Sequence, residues 1–185
     1  MIMEKVDLSL FNNRWFIPGS ILRICVWYFV NALFFNTRFP YPISLKLFFL
    51  KLFGAKLKDK GIVIKPNVNI KYPWLLSIDN NVWIGENVWI DNLAQIKISS
   101  NVCISQGAML LCGNHDYKKR NFELFVNEIT IEDGVWIGAK SIVCPGVTCK
   151  SHSVLTVGAV ATNDLEPYSI YQGNPAVKIK ERTID

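Results

Sequence analysis

One periodicity limits the fold of this chain more than any other feature, because an aliphatic residue recurs at every sixth position through most of residues 64–161. Small residues or valine often stand four places after these anchors, as Val68 and Ala108 do. A period of six fits neither an amphipathic helix nor the alternation of a half-buried strand. It is typical of a three-sided parallel β-helix, in which each flat side uses one six-residue unit. The anchors are Ile64, Ile70, Leu76, Ile78, Ile84, Ile90, Ile96, Ile98, Ile104, Leu110, Ile131, Ile137, Val143, Cys149, Leu155 and Ala161.

The phase of this repeat shifts by two residues at 76–78 and again at 96–98, twenty residues further along. A coil of eighteen residues with a two-residue bulge at one corner explains that spacing. We therefore predict an all-β parallel β-helix over residues 61–165. Residues 166–185 are predicted to cap its open end, because solenoids need a polar cap to stay soluble.

Residues 1–60 form a different segment, rich in Phe, Leu, Trp and Tyr. We predict two helices here, near 20–35 and 43–53, with Pro40 and Pro42 breaking the chain between them. Nine Lys/Arg against three Asp/Glu give this segment a charge of +6, so the other residues sum to −1 of the total +5. Because the positive charge is confined to one end, we expect no nucleic-acid interface over the whole chain.

The apolar run at residues 19–35 is at the short limit for crossing a bilayer and contains Arg23 and Asn31. A helix that lies on a surface or packs in a core is therefore favoured over a membrane span. With its basic residues, the segment 1–58 predicts peripheral contact with an anionic membrane. The alternative is packing on the solenoid. If the membrane contact exists, removal of residues 1–58 is expected to abolish binding to anionic vesicles.

Five cysteines without a C-x-x-C pair are expected to be free thiols in a reducing compartment. The start of the chain lacks the pattern of a secretory signal. We therefore expect a cytoplasmic protein, with its basic segment able to reach the inner face of the membrane.

The repeat is interrupted once, by a polar and charged insert at residues 111–128. It must loop outward because the coil interior has no room for it, and long loops on rigid scaffolds often carry chemistry. His115 lies in this insert, and its imidazole can accept the proton of an attacking alcohol near neutral pH. Cys112 lies nearby without an activating neighbour, so we predict a spectator thiol.

Four motifs accompany the anchors: Gly113-Asn114-His115-Asp116, Val135-Trp136-Ile137-Gly138-Ala139, Pro145-Gly146-Val147 and Gly173-Asn174-Pro175-Ala176. Together they resemble the left-handed β-helix (hexapeptide-repeat) acetyltransferases, which include the galactoside and maltose O-acetyltransferases. This resemblance covers roughly residues 62–180. The aromatic N-terminal segment and the run Lys71-Tyr72-Pro73-Trp74 more narrowly resemble the acetyltransferases of colanic-acid-type exopolysaccharide synthesis. The resemblance implies a left-handed coil, a homotrimer with active sites between subunits, acetyl-CoA as co-substrate and no metal.

The resemblance also implies roles for individual residues. His115 matches the general base, and Asp91 and Asn114 match positions that bind the acceptor. A second basic position near the nucleotide phosphates falls on Val177 here, next to Lys178. The implied coenzyme A contacts are Trp136, Ala139, Val157, Thr162 and Lys180.

Three tryptophans offer independent support for subunit contacts. Trp83, Trp89 and Trp136 each precede an anchor, so their rings are expected to point outward. Exposed tryptophans of this kind suggest subunit interfaces or ligand platforms rather than bare solvent.

The sequence thus predicts an acetyl-CoA-dependent O-acetyltransferase that acts on a saccharide, free or lipid-linked, in extracellular or capsular polysaccharide synthesis. A γ-type carbonic anhydrase uses the same solenoid but needs three histidines around zinc. The chain has only two, His115 and His152, which disfavours that enzyme. A non-catalytic scaffold remains a further alternative, which assay of a His115 variant would distinguish.

Overall fold

The computed structural model describes residues 5–58 and 60–185; residues 1–4 and Asp59, which belong to the predicted N-terminal segment, lie outside the described residues. Two N-terminal helices precede a solenoid of about six turns. This confirms the predicted fold class, a left-handed parallel β-helix with an N-terminal helical segment and a protruding loop.

The two helices lie close to their predicted positions. Helix α1 spans Ile21–Val30 and continues into a π-helical turn at Asn31–Phe35, and helix α2 spans Ile43–Leu52. Ser20 begins α1 by accepting a hydrogen bond from a backbone N–H of its first turn, as a good N-cap residue does. In the described part of the chain, no helix is long and apolar enough to cross a membrane.

Short strands stack coil upon coil into three parallel sheets. The strands are β1 (Lys56–Leu57), β2 (Val63–Ile64), β3 (Asn69–Ile70), β4 (Leu76–Ile78), β5 (Trp83–Ile84), β6 (Trp89–Asp91), β7 (Ile96–Ile98), β8 (Cys103–Ile104), β9 (Met109–Leu111), β10 (Gly113–His115), β11 (Leu124–Val126), β12 (Ile129–Ile131), β13 (Trp136–Ile137), β14 (Ile142–Val143), β15 (Thr148–Cys149), β16 (Val154–Leu155), β17 (Val160–Ala161), β18 (Ser169–Gln172) and β19 (Val177–Glu181). Sheet 1 is β1-β4-β7-β12-β15, and sheet 3 is β3-β6-β9-β14-β17. Sheet 2 is β2-β5-β8-β13-β16-β18, with β19 antiparallel at its end.

The anchors fill the interior of the coil, since none exposes more than 2% of its surface. Asparagines turn one corner in successive coils, where Asn81 and Asn101 adopt positive φ angles of 56° and 59°. Asparagine tolerates this left-handed conformation better than most residues. The amide of Asn81 donates to Asn101 at 3.2 Å, and Asn101 donates to Asp133 at 3.1 Å. The turns therefore form a hydrogen-bonded ladder that keeps the coils in register.

The N-terminal helices close the lower end of the solenoid, where the first coil would otherwise leave backbone groups unpaired. The indole N–H of Trp27 donates to the carbonyl of Ile70 at 2.8 Å. The N–H of Ile70 donates in turn to the side-chain oxygen of Asn31 at 3.3 Å. Both backbone groups of this edge residue are thus paired by side chains of the helical segment.

Lys46 pairs the next part of the same edge. Its buried ammonium donates to the carbonyls of Ile64 at 3.2 Å and Lys65 at 3.0 Å. Burial lowers the pKa of Lys46, because the charged form loses water. The two edge carbonyls compensate part of the cost of removing the Lys46 ammonium from water.

The outward faces of the three sheets differ in polarity. Because side chains alternate between the interior and the exterior along each strand, the residue next to each anchor faces outward. The outward position of the three tryptophans is confirmed, with Trp83 exposing 61% of its surface. Sheet 1 presents Lys56, Ser77, Lys97, Thr130 and Thr148; sheet 2 presents Val63, Trp83, Cys103, Trp136 and Val154; sheet 3 presents Asn69, Trp89, Met109, Ile142 and Val160.

The insert leaves the corner between sheet 3 and sheet 1 and contains the antiparallel pair β10 and β11. Residues 5–20, the N-terminal arm, cross to this hairpin. The N–H of Asp7 donates to the carbonyl of Arg120 at 2.9 Å, and their side chains approach to 3.5 Å. The two ends of the arm are therefore fixed, one on the hairpin and one on α1.

Candidate active site

A cavity of about 540 Å³ opens between the hairpin, the corner of the coil and the N-terminal arm. It brings together His115, Asp91 and Asn114, the predicted base and the two predicted acceptor-binding residues. Three other lining residues, Lys71, Tyr72 and Gly113, belong to motifs already noted in the sequence. The remaining walls were not expected from the sequence and are formed by Phe11, Asn13, Phe16, Pro18, Leu93 and Leu124.

The backbone of Phe122 fixes the orientation of His115. Nδ1 of His115 lies 2.9 Å from the carbonyl oxygen of Phe122, and the two rings stack 4.5 Å apart at 5°. A carbonyl only accepts hydrogen bonds, so Nδ1 carries the proton of the neutral ring and Nε2 its lone pair. Among the described residues no hydrogen bond involves Nε2. The imidazole is therefore fixed in orientation, and its second nitrogen is available to a ligand.

Asp91 is a buried carboxylate in the wall of this cavity, with 9% of its surface exposed. Its Oδ1 lies 2.9 Å from Nζ of Lys71, but in the described part of the chain no group forms a hydrogen bond of good geometry with this oxygen. Lys71 and Asp91 are stacked because β3 and β6 pair Ile70 with Ile90. Since buried polar groups are nearly always hydrogen-bonded, this carboxylate is prepared to accept donors from a ligand.

The run Lys71-Tyr72-Pro73-Trp74 connects the coil to the N-terminal arm. The ring of Tyr72 stacks on Trp74 with centroids 5.2 Å apart, and the indole of Trp74 donates to the carbonyl of Pro18 at 2.6 Å. The guanidinium of Arg23 lies 4.2 Å above the Trp74 ring. Burial raises the pKa of Tyr72, and a hydrogen bond with Tyr28 adds to this effect. The run therefore holds the arm over the cavity and keeps Tyr72 protonated.

A second cavity, of about 500 Å³, contains three of the five predicted coenzyme A contacts, namely Trp136, Ala139 and Val157. It lies at the corner between sheet 2 and sheet 3. Gly138 allows close approach of the backbone here, since a Cβ would lie 2.6 Å from the carbonyl oxygen of Leu155. The buried hydroxyl of Thr156 has no hydrogen-bond partner among the residues described. A mainly apolar cleft of this size fits an extended pantetheine arm, which is apolar with two amides.

The structure does not place the other two predicted coenzyme A contacts in this cleft. Thr162 is exposed just after β17, and Lys180 is exposed on β19, where it pairs with Ile170. Lys178, the neighbour of Val177, forms a 2.6 Å ion pair with Glu181, and this hydrogen bond raises the pKa of Lys178. Thr162, Lys178 and Lys180 lie near the last coil. If they contact the nucleotide of coenzyme A, that contact is at the upper end of the molecule.

The two cavities share no lining residue and lie at different corners of the coil. His115 opens onto the corner between sheet 3 and sheet 1, at the first three coils. The cleft beside Trp136 lies between sheet 2 and sheet 3, at the coil that carries the insert and the two coils that follow it. Within one chain, His115 and the cleft beside Trp136 are therefore separate.

Other reactive groups do not form a second centre in residues 5–58 and 60–185. No three His, Cys, Asp or Glu residues there are grouped as metal ligands. His152 stacks on Tyr168 with centroids 4.7 Å apart, at a turn remote from the insert in the fold. Burial raises the pKa of Cys112 to about 12, so its thiol stays protonated.

No family model matches the chain. Over 177 residues it is 33% identical to the Escherichia coli K12 protein named as the colanic acid biosynthesis acetyltransferase WcaF, covering 95% of this chain and 97% of that protein. It is 29% identical over 134 residues to the galactoside O-acetyltransferase of the same strain, covering 68% of this chain and 66% of that one. A hexapeptide-repeat acetyltransferase from Vibrio cholerae, solved with acetyl-CoA, shares the fold with a TM-score of 0.72 at 24% identity, over 80% of this chain and 81% of the other. The chain therefore belongs to the hexapeptide-repeat acetyltransferases, which confirms the family and the enzyme class predicted from its motifs.

Proposed function

We propose that this protein transfers an acetyl group from acetyl-CoA to a hydroxyl of a saccharide in exopolysaccharide synthesis, with His115 as general base. The observation that carries this proposal is the fixed tautomer of His115 beside the buried carboxylate of Asp91. A base and a hydrogen-bond acceptor side by side suit an acceptor with several hydroxyl groups. The relative named for colanic acid biosynthesis supports a polysaccharide pathway.

The chemistry needs one proton acceptor and no covalent enzyme intermediate. Acetyl-CoA supplies a thioester whose acyl carbon an alcohol can attack. Nε2 of His115 accepts the hydroxyl proton as the new C–O bond forms and the C–S bond breaks, and it then returns the proton to the departing sulfur. The carbonyl of Phe122 stabilises the imidazolium through the hydrogen bond from Nδ1. Asp91 and Asn114 orient the acceptor by accepting hydrogen bonds from its other hydroxyl groups.

We also propose that the active form is a homotrimer in which neighbouring chains complete each site. Two of the three outward faces, those of sheets 2 and 3, are apolar, whereas that of sheet 1 is polar. Two different apolar faces suit a closed ring, because each chain then offers one face to each neighbour. Such a ring can join the His115 cavity of one chain to the Trp136 cleft of the next. Equilibrium sedimentation at three protein concentrations would give the mass of the assembly, and a monomer would refute this proposal.

A cytoplasmic location is proposed as well, since acetyl-CoA is a cytoplasmic metabolite. The five cysteines support it, because all are free thiols in the structure. The acceptor can be a free saccharide or a glycan carried on a lipid.

A coenzyme A release assay tests the proposed reaction. Wild-type protein is incubated with acetyl-CoA and a panel of sugars, nucleotide sugars and lipid-linked oligosaccharides. His115→Ala should lose at least about a hundredfold in kcat and keep its affinity for acetyl-CoA. His152→Asn is the matched control, because it removes the other histidine while keeping a residue that tolerates the φ of 59° found there. Unchanged turnover in His115→Ala would refute His115 as the base, whereas the absence of wild-type turnover with every acceptor of the panel would favour the non-catalytic scaffold.

A further inference from the structure

One side of the N-terminal arm and of α1 is apolar and exposed. On α1, Leu22, Val26 and Phe29 form a helical stripe, with 75% of Leu22 and 66% of Phe29 exposed. The buried residue Trp27 lies on the opposite side, against the first coil. We define the outer apolar face as Leu10, Trp15, Ile17, Leu22, Val26 and Phe29.

The segment that carries this face is basic, although its Lys46 is buried against the first coil and its Lys58 pairs with Asp79. Residues 5–58 carry eight Lys/Arg and a single acid, Asp7, which pairs with Arg120 of the hairpin. Arg14 is exposed within the face itself, between Leu10 and Trp15. An apolar face that contains an exposed arginine and lies on a basic segment is complementary to an anionic bilayer. A second copy of this segment is a poorer occupant, because two surfaces of equal positive charge would then face each other.

The same arm separates the outer apolar face from the acceptor cavity. Along residues 15–18 the exposed side chains of Trp15 and Ile17 alternate with Phe16 and Pro18, which line the cavity. The arm is therefore a single layer with one surface toward the acceptor and the other toward the outside. A flat surface in contact with the outer apolar face would lie next to the cavity.

We propose that the protein binds an anionic bilayer through the outer apolar face, so that the His115 cavity opens at the lipid interface. This inference rests on the proposed function, since it adds a place where the acceptor meets the enzyme. When the protein is bound in this way, the glycan of a lipid-linked acceptor can enter the cavity while its lipid stays in the bilayer. Insertion needs no spanning helix, because a surface helix buries only its apolar stripe.

Vesicle co-sedimentation of the full-length protein tests the proposal. Leu22→Glu and Phe29→Glu place a carboxylate in the stripe, outside the acceptor cavity. Ile184→Glu is the matched control, since Ile184 is an exposed apolar residue near the opposite terminus. On vesicles of phosphatidylcholine with phosphatidylglycerol, each stripe variant should bind at least about tenfold more weakly than wild type. The control should bind like wild type, and high salt should weaken wild-type binding.

Three results would overturn the proposal. The first is equal binding of the stripe variants and wild type, and the second is equal wild-type binding to vesicles that lack phosphatidylglycerol. The third is a change of oligomeric mass in Leu22→Glu or Phe29→Glu, which would identify the face as a subunit contact. Release of coenzyme A with a soluble acceptor is measured on the same samples without vesicles. Absence of coenzyme A release from wild type with every soluble and lipid-linked acceptor of the panel would refute the proposed function, whereas failure of vesicle binding alone would refute only the membrane contact.

Discussion

Two inactive variants should restore activity to each other if active sites form between chains. His115→Ala removes the base from one half-site, and Ala139→Trp fills the cleft of the other half-site with a bulky ring. In a closed trimer each site takes its base from one chain and its cleft from the neighbour. In an equal mixture each half-site is intact in half of the chains, so about one quarter of the sites should be complete.

The assay uses the two variants unfolded together and refolded, so that chains mix within assemblies. Coenzyme A release per total protein should reach about one quarter of the wild-type rate, against almost none for each variant alone. Wild type mixed with His115→Ala is the control and should give about one half, because every cleft is then intact. A mixture that stays inactive while this control behaves as expected would show that base and cleft act within one chain, contrary to their separate corners.

Three further predictions concern single residues. Lys46→Met should lower the free energy of unfolding by about 1–3 kcal/mol at neutral pH, because two buried carbonyls lose their donor. The pKa of Lys46 is lowered in the folded state, so the stability of wild type relative to this variant should rise as the pH increases toward 10.5. Urea titration at several pH values measures both effects. Asp91→Asn should lower kcat/KM for the acceptor by about tenfold to a hundredfold and leave KM for acetyl-CoA unchanged, and an effect on acetyl-CoA alone would contradict its role. Cys112→Ala should keep most of its kcat, and a loss as large as that of His115→Ala would make the thiol a participant.

The coil could be predicted from sequence because its determinant is local and repeated. Each coil needs an inward aliphatic side chain at the same spacing. The anchor positions of one coil therefore predict those of the next. The two-residue slip at Leu76 and Ile78 is a clear case, since both residues are buried on the one strand β4. This strand pairs in regular register with β7, and its second inward residue sets the phase of the anchors that follow.

Residues of the candidate site could be predicted where they lie on the coil or in the Gly113-Asn114-His115-Asp116 motif of the insert. Lys71 could have been found, because it stands twenty residues before Asp91 and the coil repeats at that interval. The role of Phe122 could not, since its carbonyl reaches His115 through a backbone with a positive φ of 47°, which is uncommon for an aromatic residue. The arm could not be placed either, because its contact between Asp7 and Arg120 joins distant parts of the chain without any repeat.

The N-terminal segment cannot be tested by removing it. Trp27, Asn31 and Lys46 pair the backbone edge of the first coil, so a chain that begins after residue 58 would expose unpaired strand edges. Such a chain would lose vesicle binding and solubility together, and the deletion of residues 1–58 expected to abolish vesicle binding would not separate the two causes. Leu22 and Phe29 face away from the coil, so charging them leaves the edge pairs intact. A stripe variant that unfolds in urea at the wild-type midpoint but no longer binds vesicles would assign the membrane contact to the outer apolar face alone.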